Sequence, residues 1–197
     1  MSRTRDVTDT RRRLSDAVFT TLAERGPTGL TLRAVAERAG CTTGLVLHTF
    51  RDKRALLLHA RDVLHERTRE RSDALEGGAG DAVAAVRAVV LGTLPTDDER
   101  LAEARVWVGF LAAALDDPVL AERHALASRA FADRLTRLLE VGPGGRDEAG
   151  TRAAALVAAV EGVSSLATGD PGRWTAARQV QALEVVLAAA LRTSAPR

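Results

Sequence analysis

The sequence predicts an all-α protein, and three observations carry that prediction. Apolar residues recur at spacings of three and four over most of the chain, which gathers them on one face of a helix. Runs with strand-like alternation are missing throughout. Aromatic residues make up 3% of the chain and tyrosine is absent, so the core has to be assembled from Leu, Val and Ala, side chains that suit helices packed at close range. With 197 residues and 46% apolar content, the chain is long enough for one or two domains with a proper core.

The elements follow in order from periodicity and capping. A first helix is expected from about Arg11 to Arg25, capped by Thr8 or Asp9, with Leu14, Ala17, Val18, Thr21 and Leu22 facing inward and Gly26-Pro27 ending it. Thr31 caps a second, roughly Leu32 to Ala39, whose Leu32, Val35, Ala36 and Ala39 line one side and leave Arg33, Glu37 and Arg38 on the other. Gly40 supplies the positive φ of a tight turn, and Ala36 lets the two backbones approach. Thr42 or Thr43 then caps a third helix, roughly Gly44 to Thr49. Asp52 opens a fourth that runs past Leu64 to about Leu75, long enough to join two domains, and Gly77, Gly78 and Gly80 end it. Five alanine-rich helices are expected beyond: about Asp81 to Leu94, Asp97 to Leu115, Asp117 to Val141, Asp147 to Ala167 and Pro171 to Leu191. Pro95, Pro118, Pro143 and Pro171 punctuate them; Pro118 and Pro171 follow an aspartate and read as first helical positions, where proline loses no hydrogen bond. Nine helices result.

A net charge of +2 hides an asymmetry: residues 1–72 carry +6 and the remainder −4. A cationic end suits a domain that approaches a polyanion. Cys41 is the only cysteine, which excludes an internal disulfide and fits a reducing compartment. The N-terminus, with Arg3, Arg5 and Asp6 and no apolar run, is not a secretion signal, and the longest apolar stretch, Ala153 to Val160, falls far below the ~20 residues of a membrane helix. A soluble cytoplasmic protein without membrane association is expected. Chemistry finds little material: His59 and His65 are six apart and do not share a helical face, and no HExxH, CxxC, phosphate loop or nucleophile elbow is present. No enzyme activity, cofactor or metal is expected.

Helix, glycine turn and second short helix in Gly29 to Leu58 form the layout of a DNA-reading module. Gly29-Leu30-Thr31, Ala36, Ala39-Gly40, Gly44, His48, Phe50, Lys53 and Leu56-Leu57 resemble the N-terminal pattern of the TetR family of bacterial regulators, a likeness covering roughly residues 10–58. Trp107-Val-Gly-Phe110, Asp117-Pro118 and Glu161-Gly162 are more loosely similar to the C-terminal domain of the branch typified by the betaine-synthesis repressor. The resemblance implies a helix-turn-helix domain over residues 1–58, a linker helix to about 75, and a ligand-binding and dimerisation domain over 76–197. It further implies a homodimer that represses transcription from a two-fold symmetric operator on double-stranded DNA and is released by a small-molecule effector. A helical adaptor that has lost DNA binding is the alternative, suggested by Leu47 and Thr49, where the family usually carries aromatic residues.

In such a module the third helix enters the major groove, so Thr42, Thr43 and Leu45 are expected to read bases. Arg33 matches a family position near the groove and either pairs with a guanine or holds a phosphate. Lys53, His48, Thr49 and Thr31 are expected on phosphates, with Arg3, Arg5, Arg11, Arg12 and Arg13 as a basic arm that is either solvated or follows the backbone. Phe50 reads as a core plug and Cys41 as a packed thiol. Trp107, Phe110 and Leu111 share one helical face and His124 and Phe131 another; the four apolar residues are placed either in the core or along an effector pocket, and His124 either in solvent or as a polar partner in that pocket. Leu156, Val160, Val163, Leu183, Val186 and Leu187, with small residues between them, are expected at a four-helix dimer interface or in intrachain packing.

Overall fold

The computed structural model describes residues 2–141 and 145–192, and the side chains of residues 9–141 and 145–192. Pro143 and the side chains of Arg3, Arg5 and Thr8 therefore lie outside the described residues. All elements among the described residues are helices, nine of them: α1 (Ser2–Gly29), α2 (Leu32–Ala39), α3 (Thr43–Thr49), α4 (Lys53–Gly77), α5 (Ala82–Gly92), α6 (Asp98–Ala114), α7 (Pro118–Leu139), α8 (Gly145–Gly169) and α9 (Ala176–Leu191). None of the described helices is long and apolar enough to cross a membrane.

Two helix starts differ from expectation. α1 begins at Ser2, because nothing ahead of Asp9 breaks a helix and arginine favours one. Asp9 lies inside it and accepts from Arg12 at 2.8 Å instead of capping. α9 begins at Ala176 and not at Pro171. The Asp-Pro-Gly sequence makes a separate turn, in which Trp174 N donates to Asp170 O at 3.0 Å, and Thr175 then caps the helix by accepting from Arg178 N. Gly26, at φ 64°, marks a kink in α1, and Pro27 starts its last turn.

The chain forms two compact units, Met1–Glu66 with Ala102–His124, and Arg67–Leu101 with Ala125–Arg197. α4, α6 and α7 each contribute to both, so no single cut in the sequence separates them.

In the first unit, Leu14, Val18 and Leu22 of α1, Leu30, Val35, Val46, Leu56 and Phe110 are nearly or fully buried in one core. A Cβ at Gly109 would sit 3.3 Å from both Leu22 Cδ1 and Pro27 Cδ, so α6 approaches α1 through its glycine. Arg54 of α4 donates to Asp117 at 2.7 Å, and Arg123 of α7 donates to Asp62 of α4 at the same distance. Except for the half-buried Asp117 these side chains are well exposed, and such pairs fix geometry more than they stabilise.

In the second unit, α8 packs on α9 and α9 on α5. The core here includes Val89 and Leu94, Leu135 of α7, Leu156 of α8 and Leu183 of α9, all fully buried. Gln179 is buried where α9 starts and donates Nε2 to the carbonyls of Pro95 and Trp174, at 3.0 and 2.8 Å. Of the six residues expected at a dimer interface, Leu156, Val160, Val163, Leu183 and Leu187 are spent on this core and Val186 is half-buried against it. The reason is periodicity: the largest side chains turn inward within the chain. The outward stripe of α8 carries Ala154, Ala155, Ala158, Gly162 and Leu166, and that of α9 carries Gln181, Val185, Ala188 and Ala189.

Candidate nucleic-acid interface

The helix-turn-helix is built by caps at each joint. Thr31 stands in extended backbone and its Oγ1 accepts from Ala34 N at 3.1 Å, opening α2. Gly40 closes α2 at φ 63°, ψ 40°, a left-handed conformation that costs a side-chain-bearing residue about 1–2 kcal/mol. The Cys41 N–H reaches back to Ala36 O at 3.0 Å, and Thr42 then caps α3 by accepting from Leu45 N at 3.3 Å. Buried Ala34, Val35 and Ala36 anchor α2, buried Val46 anchors α3, and Phe50 ends α3 against the ring of His59, 5.0 Å between centroids. Phe50 is thus a core plug, and Cys41 is a half-buried thiol packed on the same core.

What these anchors leave outside is a cationic and hydroxyl-bearing face. Arg33, Thr42, Thr43, His48, Thr49 and Lys53 are all exposed, as is Thr31. Among the described residues neither Arg33 nor Lys53 is held in an ion pair. Arg38 is different: it pairs with Glu24 of α1 and ties α2 to its neighbour. Arg11 and Arg13 are also exposed, while Arg12 is paired with Asp9.

Three details alter the expected roles. Leu45 is half-buried and packs on the core, while Leu47, left out of the expected readers, stands 50% exposed on α3. A helical-face count from the buried Val46 finds it: Thr43 and Leu47 are one turn apart and face the same way. Thr49 donates its hydroxyl to Leu45 O at 3.1 Å, so that proton is not offered to a phosphate. Asp52 accepts from Ala55 N at 2.8 Å, taking up one of the free amides at the α4 N-terminus beside Lys53.

The expected effector residues divide. Trp107, Phe110 and His124 come together in the first unit, with the His124 ring 5.9 Å from Trp107 and 6.5 Å from Phe110 between centroids. The Arg61 guanidinium lies 5.9 Å from the centre of the fully buried Phe110 ring. Desolvation, and then the charge of Arg61, push His124 below the ordinary histidine range, so it is an uncharged polar edge beside two aromatic faces. Leu111 is half-buried on the same helix as Trp107. Phe131 belongs instead to the core of the second unit. An open groove of about 590 Å³ along α7, lined by Arg134, Arg137, Glu140 and Arg146 among others, contains none of these five residues. Its arginines are paired with Glu76, Asp73 and Glu140. Among the described residues no group of His, Cys, Asp or Glu is arranged to hold a metal.

An all-helical chain that presents a capped helix-turn-helix with an exposed basic face falls in the class of helix-turn-helix regulators. Residues 15–60 match the family of bacterial regulatory proteins of the TetR type, and residues 82–192 match the C-terminal family of BetI-type transcriptional repressors. The chain belongs to the TetR family, a family of transcriptional regulators and not of enzymes. The HTH-type transcriptional regulator BetI of Escherichia coli is 31% identical over 129 residues, 64% of this chain; the chain spans 65% of the length of that relative. A transcriptional regulator from Rhodococcus sp. Rha1 is 33% identical with a TM-score of 0.85, covering 91% of this chain and 95% of its own. A regulator from Saccharomonospora viridis, solved in complex with choline, shares the fold with a TM-score of 0.82 at 19% identity, covering 92% of this chain and 96% of its own.

Proposed function

We propose that this chain binds double-stranded DNA as a homodimer at a two-fold symmetric operator, represses transcription there, and is released by a small molecule bound in its C-terminal part. The exposed face of α2, the turn and α3 is the observation that carries the reading, because every large apolar residue around it but one is withdrawn into the core. In this reading Thr42 and Thr43 contact base edges, and Arg33 pairs with a guanine. Thr31, His48 and Lys53 hold phosphates. Thr31 and Thr42 use only their oxygens as caps, so each keeps a hydroxyl proton to donate. Leu45 seats the reading helix and does not read.

The dimer forms through the outward stripes of α8 and α9, whose small residues permit close approach of a second copy. Two reading helices must stand about 34–36 Å apart to enter successive major grooves, so an effector that alters this spacing weakens binding. Trp107, Phe110, Leu111 and His124 are the proposed wall against which the effector sits. Residues 76–197 act as the effector and dimerisation part, and the protein works in the cytoplasm, where its DNA is.

Selection of bound duplexes from a random pool tests the reading: an inverted repeat is expected. Lys53→Ala is expected to weaken all recovered sites alike and to lower the salt slope by about 1, whereas Thr43→Ala changes which bases are recovered. Absence of any salt-dependent association with duplex DNA would leave the helical-adaptor reading instead.

A further inference from the structure

We propose that Leu47 is a specificity-determining residue that reads the C5-methyl group of a thymine in the major groove, an inference that rests on the DNA-binding reading above. Among the described residues ahead of Val83, Leu47 is the one large hydrophobic side chain left exposed. Its neighbours on α3 show that this is a matter of direction: Val46 is fully buried and Leu45 is half-buried on the core. Leu47 lies one helical turn beyond Thr43, on the same outward face, and between them Gly44 carries no side chain at all.

Within α3 itself the caps take up part of the hydrogen-bonding capacity. The Thr42 oxygen accepts from Leu45 N, and the Thr49 hydroxyl is donated to Leu45 O. A leucine offers no donor or acceptor, and of the four bases only thymine presents an apolar group at its major-groove edge. Phosphate-binding groups flank the side chain, with His48 next to it and Lys53 opening α4, which makes the duplex the occupant that fits an exposed leucine here. Leu47 therefore adds selection by methyl contact to the polar contacts of Arg33 and Thr42, with Thr43 adding a second methyl and one hydroxyl.

Replacing thymine by uracil removes only the methyl group, so the test uses the duplex recovered with the 197-residue chain, substituted one thymine at a time. At one thymine per half-site the affinity of the wild-type chain is expected to fall about fourfold, the factor that ~0.8 kcal/mol per buried methylene-sized group gives. For Leu47→Ala that same substitution is expected to have no effect, while Thr43→Ser, which loses only a methyl, keeps it. Helical circular dichroism checks that Leu47→Ala is folded, and the wild-type measurement stands without the variant. Unchanged wild-type affinity at every uracil substitution, or equal losses for wild type and Leu47→Ala, would overturn the assignment of Leu47 while leaving DNA binding intact. Failure to recover any duplex would overturn both.

Discussion

Gly44 has no structural duty inside the chain. It is exposed, its φ is outside the left-handed region, and the nearest atom an added Cβ would meet is Thr42 Oγ1 at 3.8 Å. A glycine in a helix costs ~0.5–1 kcal/mol relative to alanine. Gly44→Ala is therefore expected to stabilise the chain by an amount in that range, read as a rise of about 1–4 °C in the thermal midpoint. If the bare backbone is there to let α3 come close to a groove, the same variant binds its operator more weakly by at least about fivefold, the loss that ~1 kcal/mol or more of overpacking brings. Calorimetry and a fluorescence titration read the two effects separately. A variant that gains stability and keeps full affinity would refute the close approach.

α4 and α7 carry three histidines of the first unit whose pKa the fold lowers. Desolvation lowers His59, against a smaller opposing pull from Asp62. Desolvation also lowers His65, helped by Arg61 and Arg123 and opposed by Glu66 and Asp62, and it lowers His124 together with Arg61. All three lie below the ordinary 6.5, so as pH drops through 6.5 the unfolded chain takes up protons that the folded chain does not. Stability is then full above that pH and declines below it until the folded groups titrate. The thermal midpoint is expected to fall between about pH 7 and pH 5, and the fall to shrink when the three are replaced by glutamine. The lowered carboxyls of Asp73, Asp97 and Asp117 act in a separate window, below their ordinary 3.8. None of this was legible in the sequence, because it depends on burial and on charges far apart in the chain, such as Arg61 beside His124. The helices were legible: Thr31, Gly40 and Thr42 stand at caps and turn as their chemistry dictates. The site was legible in outline only. In a seven-residue helix, one residue of phase decides whether Leu45 or Leu47 faces out, and only the packed position of Val46 fixes that phase.

Across the chain the same question of phase bears on the proposed self-association. Of the two places expected for the heavy residues of α8 and α9, a dimer interface or intrachain packing, the second holds, with α5 and α7 supplying partners that bury them within the chain. The outward residues that remain are lighter, with Val185 72% exposed in the middle of the α9 stripe and Leu166 50% exposed on α8. A two-fold interface uses one patch twice, so a single charge placed there is felt twice, and two like charges meet near the axis. Val185→Asp is therefore expected to leave the helical content of the chain intact while sedimentation shows a monomer and the thermal midpoint loses its dependence on protein concentration. Its affinity for an inverted repeat should collapse to that for a single half-site. Leu187→Asp buries the same charge in the core of the second unit and is expected to unfold the chain instead, by more than ~3 kcal/mol. If Val185→Asp sediments as the wild type does, the outward stripe is not where two copies meet.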